Sequence, residues 1–232
     1  MNTLKARYRQ LARDSRQEKP LAFAALFWLF IAGSLAGTVM EGVWHLLHAG
    51  TWGFRVGTLW GPFCVLYGFG AVLMYLAALG VRDRGLLRQF TVFALTGAAV
   101  EYIASLFQEA CFGTMSWNYS AHAFNLGGRI SLKMTLLWGV IGLLLMYALL
   151  PVLLKGFNRL GLARRRVLLG ICTVFMCINL TLTCAALSRW QERVQTAEPA
   201  GSALEIWLDQ AWPDERLQAR FPNMRFVRQT TP

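Results

Sequence analysis

Three glutamates, Glu41, Glu101 and Glu109, stand within long apolar stretches of this sequence. An ionisable side chain at mid-span costs about 2.5–3.5 kcal/mol on insertion scales, so such residues usually face a bundle interior or a wet cavity. A structural role is the alternative, but one interhelical hydrogen bond contributes only about 0.6 kcal/mol. Three separate glutamates therefore predict a polar site for a substrate, a proton or a cation. For Glu41 and Glu109, a position near the membrane surface would weaken this prediction.

The glutamates share helical faces with other polar residues and with Gly37, a small residue that would let another helix approach closely. Side chains three or four positions apart align along one side of a helix. Two such stripes contain glutamates, and for a third, which has no acid, hydrogen bonds that hold the helices together are the favoured role. The stripes are Ser34, Gly37, Glu41, His45 and His48; then Glu101, Ser105 and Gln108; then Cys172, Met176, Asn179 and Thr183.

The connection W-N-Y-S-A-H-A-F-N-L-G-G-R, at 117–129, joins two of the apolar stretches and gathers more polar residues. Its aromatic rings suit a membrane–water interface. Arg129 opens one span and Glu109 closes the preceding one, so the two can pair near one surface. Alternatively, Arg129 snorkels to water or binds an anionic group of a ligand or lipid. With the glutamates, four residues of this connection are candidate substrate- or ion-binding positions: Asn118, Tyr119, Asn125 and Arg129.

Several other chemistries find no support in the sequence. The order Glu41, His45, His48 matches no trusted metal-ligand motif, and the five cysteines fit no zinc pattern. We therefore expect no metal and no cofactor. The chain has no G-x-x-x-x-G-K-[ST] motif and so carries no recognisable ATPase of its own. No catalytic residue is assigned.

The composition points to the membrane. The chain is 56% hydrophobic and 15% charged, whereas soluble domains usually carry about 25% charged residues. Several apolar runs exceed the roughly 18 residues that suggest a membrane span. The predicted fold is all-α, a polytopic membrane helix bundle of about five spans. The predicted spans are 21–47, 61–80, 88–112, 130–154 and 166–187.

The net charge of +11 is distributed unevenly along the chain. Most basic residues lie before the first span, in the 81–87 loop or in the 155–165 loop. Basic residues flanking spans on one side mark the cytoplasmic face, and nucleic-acid binding is not expected, because no basic face with spaced aromatics is present. The predicted organisation is a basic cytoplasmic segment at 1–20, a transmembrane bundle at 21–187 and an extracytoplasmic amphipathic tail at 188–232.

The tail is too polar to span a membrane. Ser202 and Glu205 form a capping-box pattern that begins a helix, and Pro213 ends it. The apolar residues of this helix are expected on one face, which lies on the membrane or covers the mouth of the bundle. That face comprises Leu204, Trp207, Leu208 and Ala211. The R-F-P-N-M-R-F stretch at 220–226 is expected to form an ordered turn.

Several motifs, by their number and order, resemble the CmpB-like, type IV family of bacterial ABC-transporter permeases. The resemblance implies a multi-pass protein of the bacterial cytoplasmic (inner) membrane, and R-F-P-N-M at 220–224 looks like the family's tail. It marks as motif positions Glu41, Glu101, Glu109, Tyr119, Asn125 and Arg129. The family often has an aspartate where this chain has Asn118, which puts a mechanism based on that charge in doubt. The motifs are G-T-V-M-E (37–41), L-W-G-P-F-C-V-L-Y-G-F-G-A (59–71), E-Y-I-A-S-L-F-Q-E (101–109), F-G-T-M-S-W-N-Y-S (112–120), F-N-L-G-G-R-I (124–130) and W-G (138–139).

Three functions fit a polar cavity in such a bundle. The first is the membrane component of a small-solute transporter, which in an ABC mechanism needs a separate ATPase subunit docked at a cytoplasmic surface such as 155–166. The second is an intramembrane enzyme for a lipid-linked substrate, with a glutamate as general base and Arg129 holding a phosphate. The third is a non-catalytic assembly factor. Membrane lipid is a partner in each case, because basic loops attract anionic lipid.

Overall fold

The structure is a computed structural model that describes residues 23–53, 55–158, 162–196 and 199–227. The basic segment predicted at 1–20 lies outside these residues, as does the 159–161 part of the basic loop. Eight α-helices are described, with a π-helical turn, Leu145–Leu149, between the fourth and the fifth. They are α1 Phe23–Ala49, α2 Val65–Val81, α3 Leu86–Phe112, α4 Leu132–Leu144, α5 Leu150–Asn158, α6 Leu162–Gln195, α7 Ala203–Ala211 and α8 Asp214–Arg220.

The predicted all-α membrane bundle is confirmed. Four helical segments are long and apolar enough to cross a membrane: Phe23–Ala49, Leu86–Phe112, Leu132–Leu153 and Ala163–Gln195. The remaining apolar helix, α2, has 17 residues. At about 1.5 Å per residue it is about 26 Å long, close to the ~30 Å hydrocarbon core of a bilayer.

Glycines allow the helices of the bundle to approach closely, as predicted at Gly37. A Cβ atom at Gly37 would lie 2.4 Å from the ring of Tyr67 on α2. One at Gly97 on α3 would lie 2.4 Å from Cγ of Trp138 on α4. Small residues at helix interfaces let large neighbours pack against the backbone. These two contacts place an aromatic side chain of α2 and another of α4 at the centre of the bundle.

The last helix of the bundle is longer than a membrane requires. With 34 residues, α6 is about 51 Å long, so it extends well beyond the predicted span 166–187. Its carboxyl-terminal turns form the base of a second hydrophobic core, in which Trp190 is 3% exposed. The other buried members of that core are Leu59, Phe112, Ala186, Leu187, Leu208, Trp212, Leu217, Phe221 and Met224.

The tail is more highly folded than the sequence suggested. The predicted capping box of Ser202 and Glu205 is confirmed, and a further helix, α8, follows Pro213. Of the predicted apolar face of α7, Leu208 is buried in the second core and Ala211 packs against it. Leu204 and Trp207 are 50% and 41% exposed, and their position on the membrane stays a prediction.

Ion pairs also attach the tail to α6. Arg189 donates from Nε and Nη2 to the carboxylate of Asp209, at 3.1 and 3.0 Å. Arg193 pairs with the same carboxylate and with Asp214. The Arg189 guanidinium, more than any other group, lowers the pKa of Asp209. Both arginines lie beyond the predicted span 166–187 and contact the tail.

Four short strands lie at one end of the bundle, and one pair of them joins the tail to a connecting loop. Strand β1 (Thr114–Met115) pairs antiparallel with β4 (Arg225–Phe226), while β2 (Asn125–Leu126) pairs with β3 (Ile130–Ser131). Arg220 also donates from Nε to the carbonyl of Thr58, at 2.9 Å. The tail therefore packs at the same end as the 50–64 and 113–131 connections. Because the predicted number of spans is odd, the tail is expected at the end of the bundle where these connections lie.

Candidate functional site

A cavity of about 870 Å³ lies at this end of the bundle. Helices α2, α3 and α4 form its walls, and α1 contributes Glu41. The 55–57 part of the first connection and Ser116, Trp117 and Tyr119 of the later one also line it. Residues 221–224 of the tail complete the lining where α3 leaves the bundle. The 117–129 connection thus contributes Trp117 and Tyr119 to a mostly apolar cavity, and its role as a polar binding site stays a prediction.

Glu101 is the most deeply buried acid of the cavity. Glu101 is 3% exposed. It lies eleven positions before Phe112, the last residue of α3, which is roughly 16 Å along the helix axis. The Tyr119 hydroxyl donates to Oε1 at 2.7 Å, and the indole Nε1 of Trp138 donates to Oε2 at 2.5 Å. Both donors are neutral groups, so neither supplies a positive charge to balance a negative charge on Glu101.

Tyr119 serves as the donor in this arrangement. Burial, together with the neighbouring Glu101 carboxylate, raises the pKa of the Tyr119 hydroxyl well above its ordinary value. The hydroxyl therefore keeps its proton and can donate at any physiological pH. Backbone hydrogen bonds from its N–H to Gly128 and from His122 to its carbonyl fix the residue in the connection.

Glu41 forms a second polar group at the cavity wall. The Tyr67 hydroxyl donates to Oε1 at 2.7 Å, and Arg55 donates from Nη1 to Oε2 at 3.2 Å. The rings of Tyr67 and Trp138 lie 5.3 Å apart between their centroids. Since Trp138 bonds Glu101, the two aromatic side chains link the two acids across the bundle.

Glu109 and Arg129 lie outside the cavity lining. They form the ion pair that was one of three alternatives for Arg129. Arg129 also donates from Nη1 to the Ser105 hydroxyl at 3.0 Å, and Trp117 donates from Nε1 to its carbonyl at 3.0 Å. These contacts join the end of α3 to the start of α4. The pair thus stabilises the junction of α3 and α4 from outside the cavity.

Asn118 and Asn125 also lie outside the cavity lining, and both are exposed. Oδ1 of Asn118 accepts a hydrogen bond from the N–H of Ser120, at 2.8 Å. Asn125 donates to the carbonyls of Ser120 and His122 and accepts from the N–H of Gly128. Such local bonds shape turns. Of the seven candidates, the structure brings Glu41, Glu101 and Tyr119 together around the cavity.

Sequence reasoning missed three residues that complete the site. Tyr67 and Trp138 lie within the motifs 59–71 and 138–139 but were not singled out, and neither was Arg55. A signal for the first two existed, because a buried Tyr hydroxyl or Trp N–H usually finds a hydrogen-bond partner. Among the residues that the structure describes, no group of three His, Cys, Asp or Glu side chains could hold a metal ion.

The sequence of the bundle matches a known family. The model of the family described as "Putative ABC-transporter type IV" matches residues 28–184, about two thirds of the chain. The chain belongs to this family. The matched range of the type IV ABC-transporter family contains every cavity residue from α1 to α4 and stops within α6, before the tail. No curated protein and no solved structure matches the chain.

Membership in this ABC-transporter family, together with the apolar helices, identifies a multi-pass membrane protein of transporter type. The resemblance of R-F-P-N-M at 220–224 to the family's tail lies beyond the matched residues and stays a prediction. The same turn nevertheless contributes Phe221, Pro222, Asn223 and Met224 to the cavity lining. In this chain, any function that uses the cavity therefore also involves the tail.

Proposed function

We propose that this protein is the membrane component of a small-solute transporter, in the bacterial cytoplasmic membrane, and that the cavity is its solute site. The observation that carries the proposal is the environment of Glu101. A carboxylate buried this deeply is costly unless a cation or a proton compensates it. The described residues give Glu101 two neutral donors, Tyr119 and Trp138, so a bound cationic group or a proton completes the site.

The size and lining of the cavity support ligand binding. Small-molecule sites usually enclose about 300–1,000 Å³ and combine apolar walls with a few oriented polar groups. This cavity has both features. Tyr119 and Trp138 hold Glu101 in one orientation, while Tyr67 and Arg55 hold Glu41. Fixed polar groups of this kind select a ligand by its own hydrogen-bonding groups.

The positive-inside rule supports a cavity at the extracytoplasmic end. Its polar groups lie near the end of α3 and the start of α4, opposite the basic 81–87 and 155–165 loops. For an ABC mechanism we propose a separate ATPase subunit that docks at the cytoplasmic face, at or near 155–166. No recognisable nucleotide-binding motif occurs in this chain, and the family is of ABC-transporter type.

The geometry favours transport over the intramembrane enzyme. The enzyme hypothesis needs Arg129 to hold a substrate phosphate, but Arg129 is paired with Glu109 and bonded to Ser105. The assembly-factor hypothesis leaves a costly buried carboxylate without a purpose. Binding and release of a solute at Glu101 requires no additional catalytic group.

Affinity purification of the full chain from native membranes tests the proposal, with mass spectrometry of both proteins and bound small molecules. Wild type is compared with Glu101→Gln, which keeps the size and shape of the side chain, removes the charge and replaces one acceptor oxygen by a donor. Glu215→Gln, an exposed acid on α8, is the matched control. We expect a stoichiometric nucleotide-binding subunit with all three forms, and a bound solute that only Glu101→Gln loses. Retention of the same molecules by all three forms, without an ATPase, would refute the proposal.

A further inference from the structure

One wall of the cavity consists of side chains that face the lipid. On α2, Phe69 and Leu73 are 51% and 43% exposed; on α3, Ile103 and Phe107 are 63% and 55% exposed. All four line the cavity and all lie within apolar helices, where an exposed surface meets acyl chains and not water. An opening of the cavity between these side chains would therefore face the hydrocarbon of one leaflet.

The opposite part of the cavity is polar. Glu101 and Glu41 lie here with Tyr119, and Gln108 and Ser116 approach from the end of α3 and the following connection. Gln108 donates to the Ser116 hydroxyl at 2.8 Å. A ligand that fills the whole cavity must thus present a polar end to Glu101 and an apolar remainder to the α2 and α3 wall.

The polar end carries charges of both signs. Glu101 has neutral partners only, which leaves room for a cationic group of a ligand. Arg55 lies in the same cavity lining and pairs with Glu41 through Nη1. The side chain of Arg55 is 38% exposed, so its guanidinium can bind a second anionic partner, such as an anionic oxygen of a ligand, in addition to Glu41.

We infer that the ligand of this site is a membrane amphiphile with a zwitterionic headgroup, which enters sideways from the lipid through the α2 and α3 wall. Its amine lies beside Glu101, its anionic oxygen lies beside Arg55, and its acyl chains remain against Phe69, Leu73, Ile103 and Phe107. This inference rests on the proposed function, because it specifies the class of solute bound at the same cavity. It goes beyond that function by identifying the solute as a lipid.

Photo-crosslinking of the full chain in phosphatidylglycerol vesicles tests the inference. The probe is a photoreactive phosphatidylethanolamine, compared with a photoreactive phosphatidylglycerol that keeps the phosphate but lacks the amine. We expect labelling of the 69–73 and 99–107 peptides to be about tenfold stronger with the amine-bearing probe, the factor that one charge-assisted hydrogen bond gives. Glu101→Gln should reduce this labelling to the phosphatidylglycerol level, and Glu215→Gln should not change it.

A matched pair of tryptophan variants tests the route of entry. Ile103→Trp places a large ring at the lipid-facing mouth of the cavity, while Leu95→Trp places the same ring on α3 at a residue that is 62% exposed and does not line the cavity. We expect a severalfold loss of labelling with Ile103→Trp and none with Leu95→Trp. Equal loss in both variants would overturn the sideways route.

Soluble phosphoethanolamine separates the inference from the proposed function. If it binds wild type in a Glu101-dependent manner as tightly as the lipid, while Ile103→Trp has no effect, the solute site stands and the lipid inference is refuted. If neither lipid nor soluble headgroup shows any dependence on Glu101, the inference is refuted and so is the solute site. Preferential, Glu101-dependent labelling by the lipid supports both.

Discussion

Two threonines on α6 allow one hydrogen bond to be tested against a matched control. Thr183 is 3% exposed, and its hydroxyl accepts from the N–H of Leu59 at 3.0 Å. It also donates to the carbonyl of Asn179 at 2.6 Å. The bond to Leu59 fixes the 58–61 connection, which in turn receives Arg220 of the tail. Ten residues earlier on the same helix, the buried hydroxyl of Thr173 has no hydrogen-bond partner among the residues that the structure describes.

Valine replaces threonine with nearly the same shape, so neither Thr183→Val nor Thr173→Val leaves a cavity. In Thr183→Val the buried N–H of Leu59 loses its acceptor. An unsatisfied buried donor is unfavourable by about 1–3 kcal/mol, so we expect the free energy of unfolding to fall by about 2 kcal/mol. In Thr173→Val a hydroxyl without a partner disappears, and we expect no loss of stability.

Denaturant unfolding of both variants in the same detergent micelles measures the difference. Tryptophan fluorescence follows the second core, where Trp190 and Trp212 are buried. We expect the midpoint to shift downward for Thr183→Val alone, with the slope unchanged. Free energies of unfolding that agree within about 0.5 kcal/mol for the two variants would refute the assignment of the Leu59 bond as the anchor of this connection.

Two further predictions concern helix packing and the tail. Gly97→Ala would place a Cβ atom 2.4 Å from Trp138. We expect overpacking to lower the free energy of unfolding by about 1–3 kcal/mol, measured by thermal unfolding. The control Gly80→Ala, whose Cβ atom meets no atom within 4 Å, should not destabilise the protein. Because Arg189 lowers the pKa of Asp209 below its ordinary 3.8, the ion pair stabilises the tail fully above that value and is lost as the pH falls through the lower, folded pKa. We expect limited proteolysis to release the tail only once the pH falls below 3.8, and not at pH 7. A tail that stays equally resistant at pH 7 in Asp209→Asn would contradict this role.

Much of the fold was predictable, because membrane spans are signalled by simple physical requirements. Apolar runs of sufficient length predicted five helices, and small residues predicted close packing at Gly37. The capping box at Ser202 was predictable because it depends on two residues three positions apart. Each of these features is local, so a single stretch of sequence contains the whole signal.

The site was only partly predictable, because it depends on partners that are distant in the chain. Glu101 was visible as a buried acid, but its bond to Trp138 joins residues 37 positions apart. Tyr67 resembled any apolar wall residue, although its hydroxyl bonds Glu41. The Glu109–Arg129 pair could be anticipated because the two residues stand at adjacent span ends.

The tail differed most from expectation. The apolar face of its first helix was expected to lie on the membrane or over the mouth of the bundle, and Leu208 of that face packs in the core at the projecting end of α6. Span prediction stops α6 at 187, where apolar residues give way to charges, whereas the helix continues to Gln195. Arg189 and Arg193 lie beyond the predicted span, where both pair with Asp209 of α7 and Arg193 also pairs with Asp214 of α8.

Direct observation of the cavity in protein purified from native membranes tests the central claim, that Glu101 binds the transported solute. Cryo-electron microscopy of the full chain, enlarged by a bound antibody fragment, would locate any ligand. We predict non-protein density within hydrogen-bond distance of the Glu101 carboxylate in wild type and none there in Glu101→Gln. A cavity without such density in both forms, with Glu101 still held by Tyr119 and Trp138, would contradict the account and make this acid a structural residue.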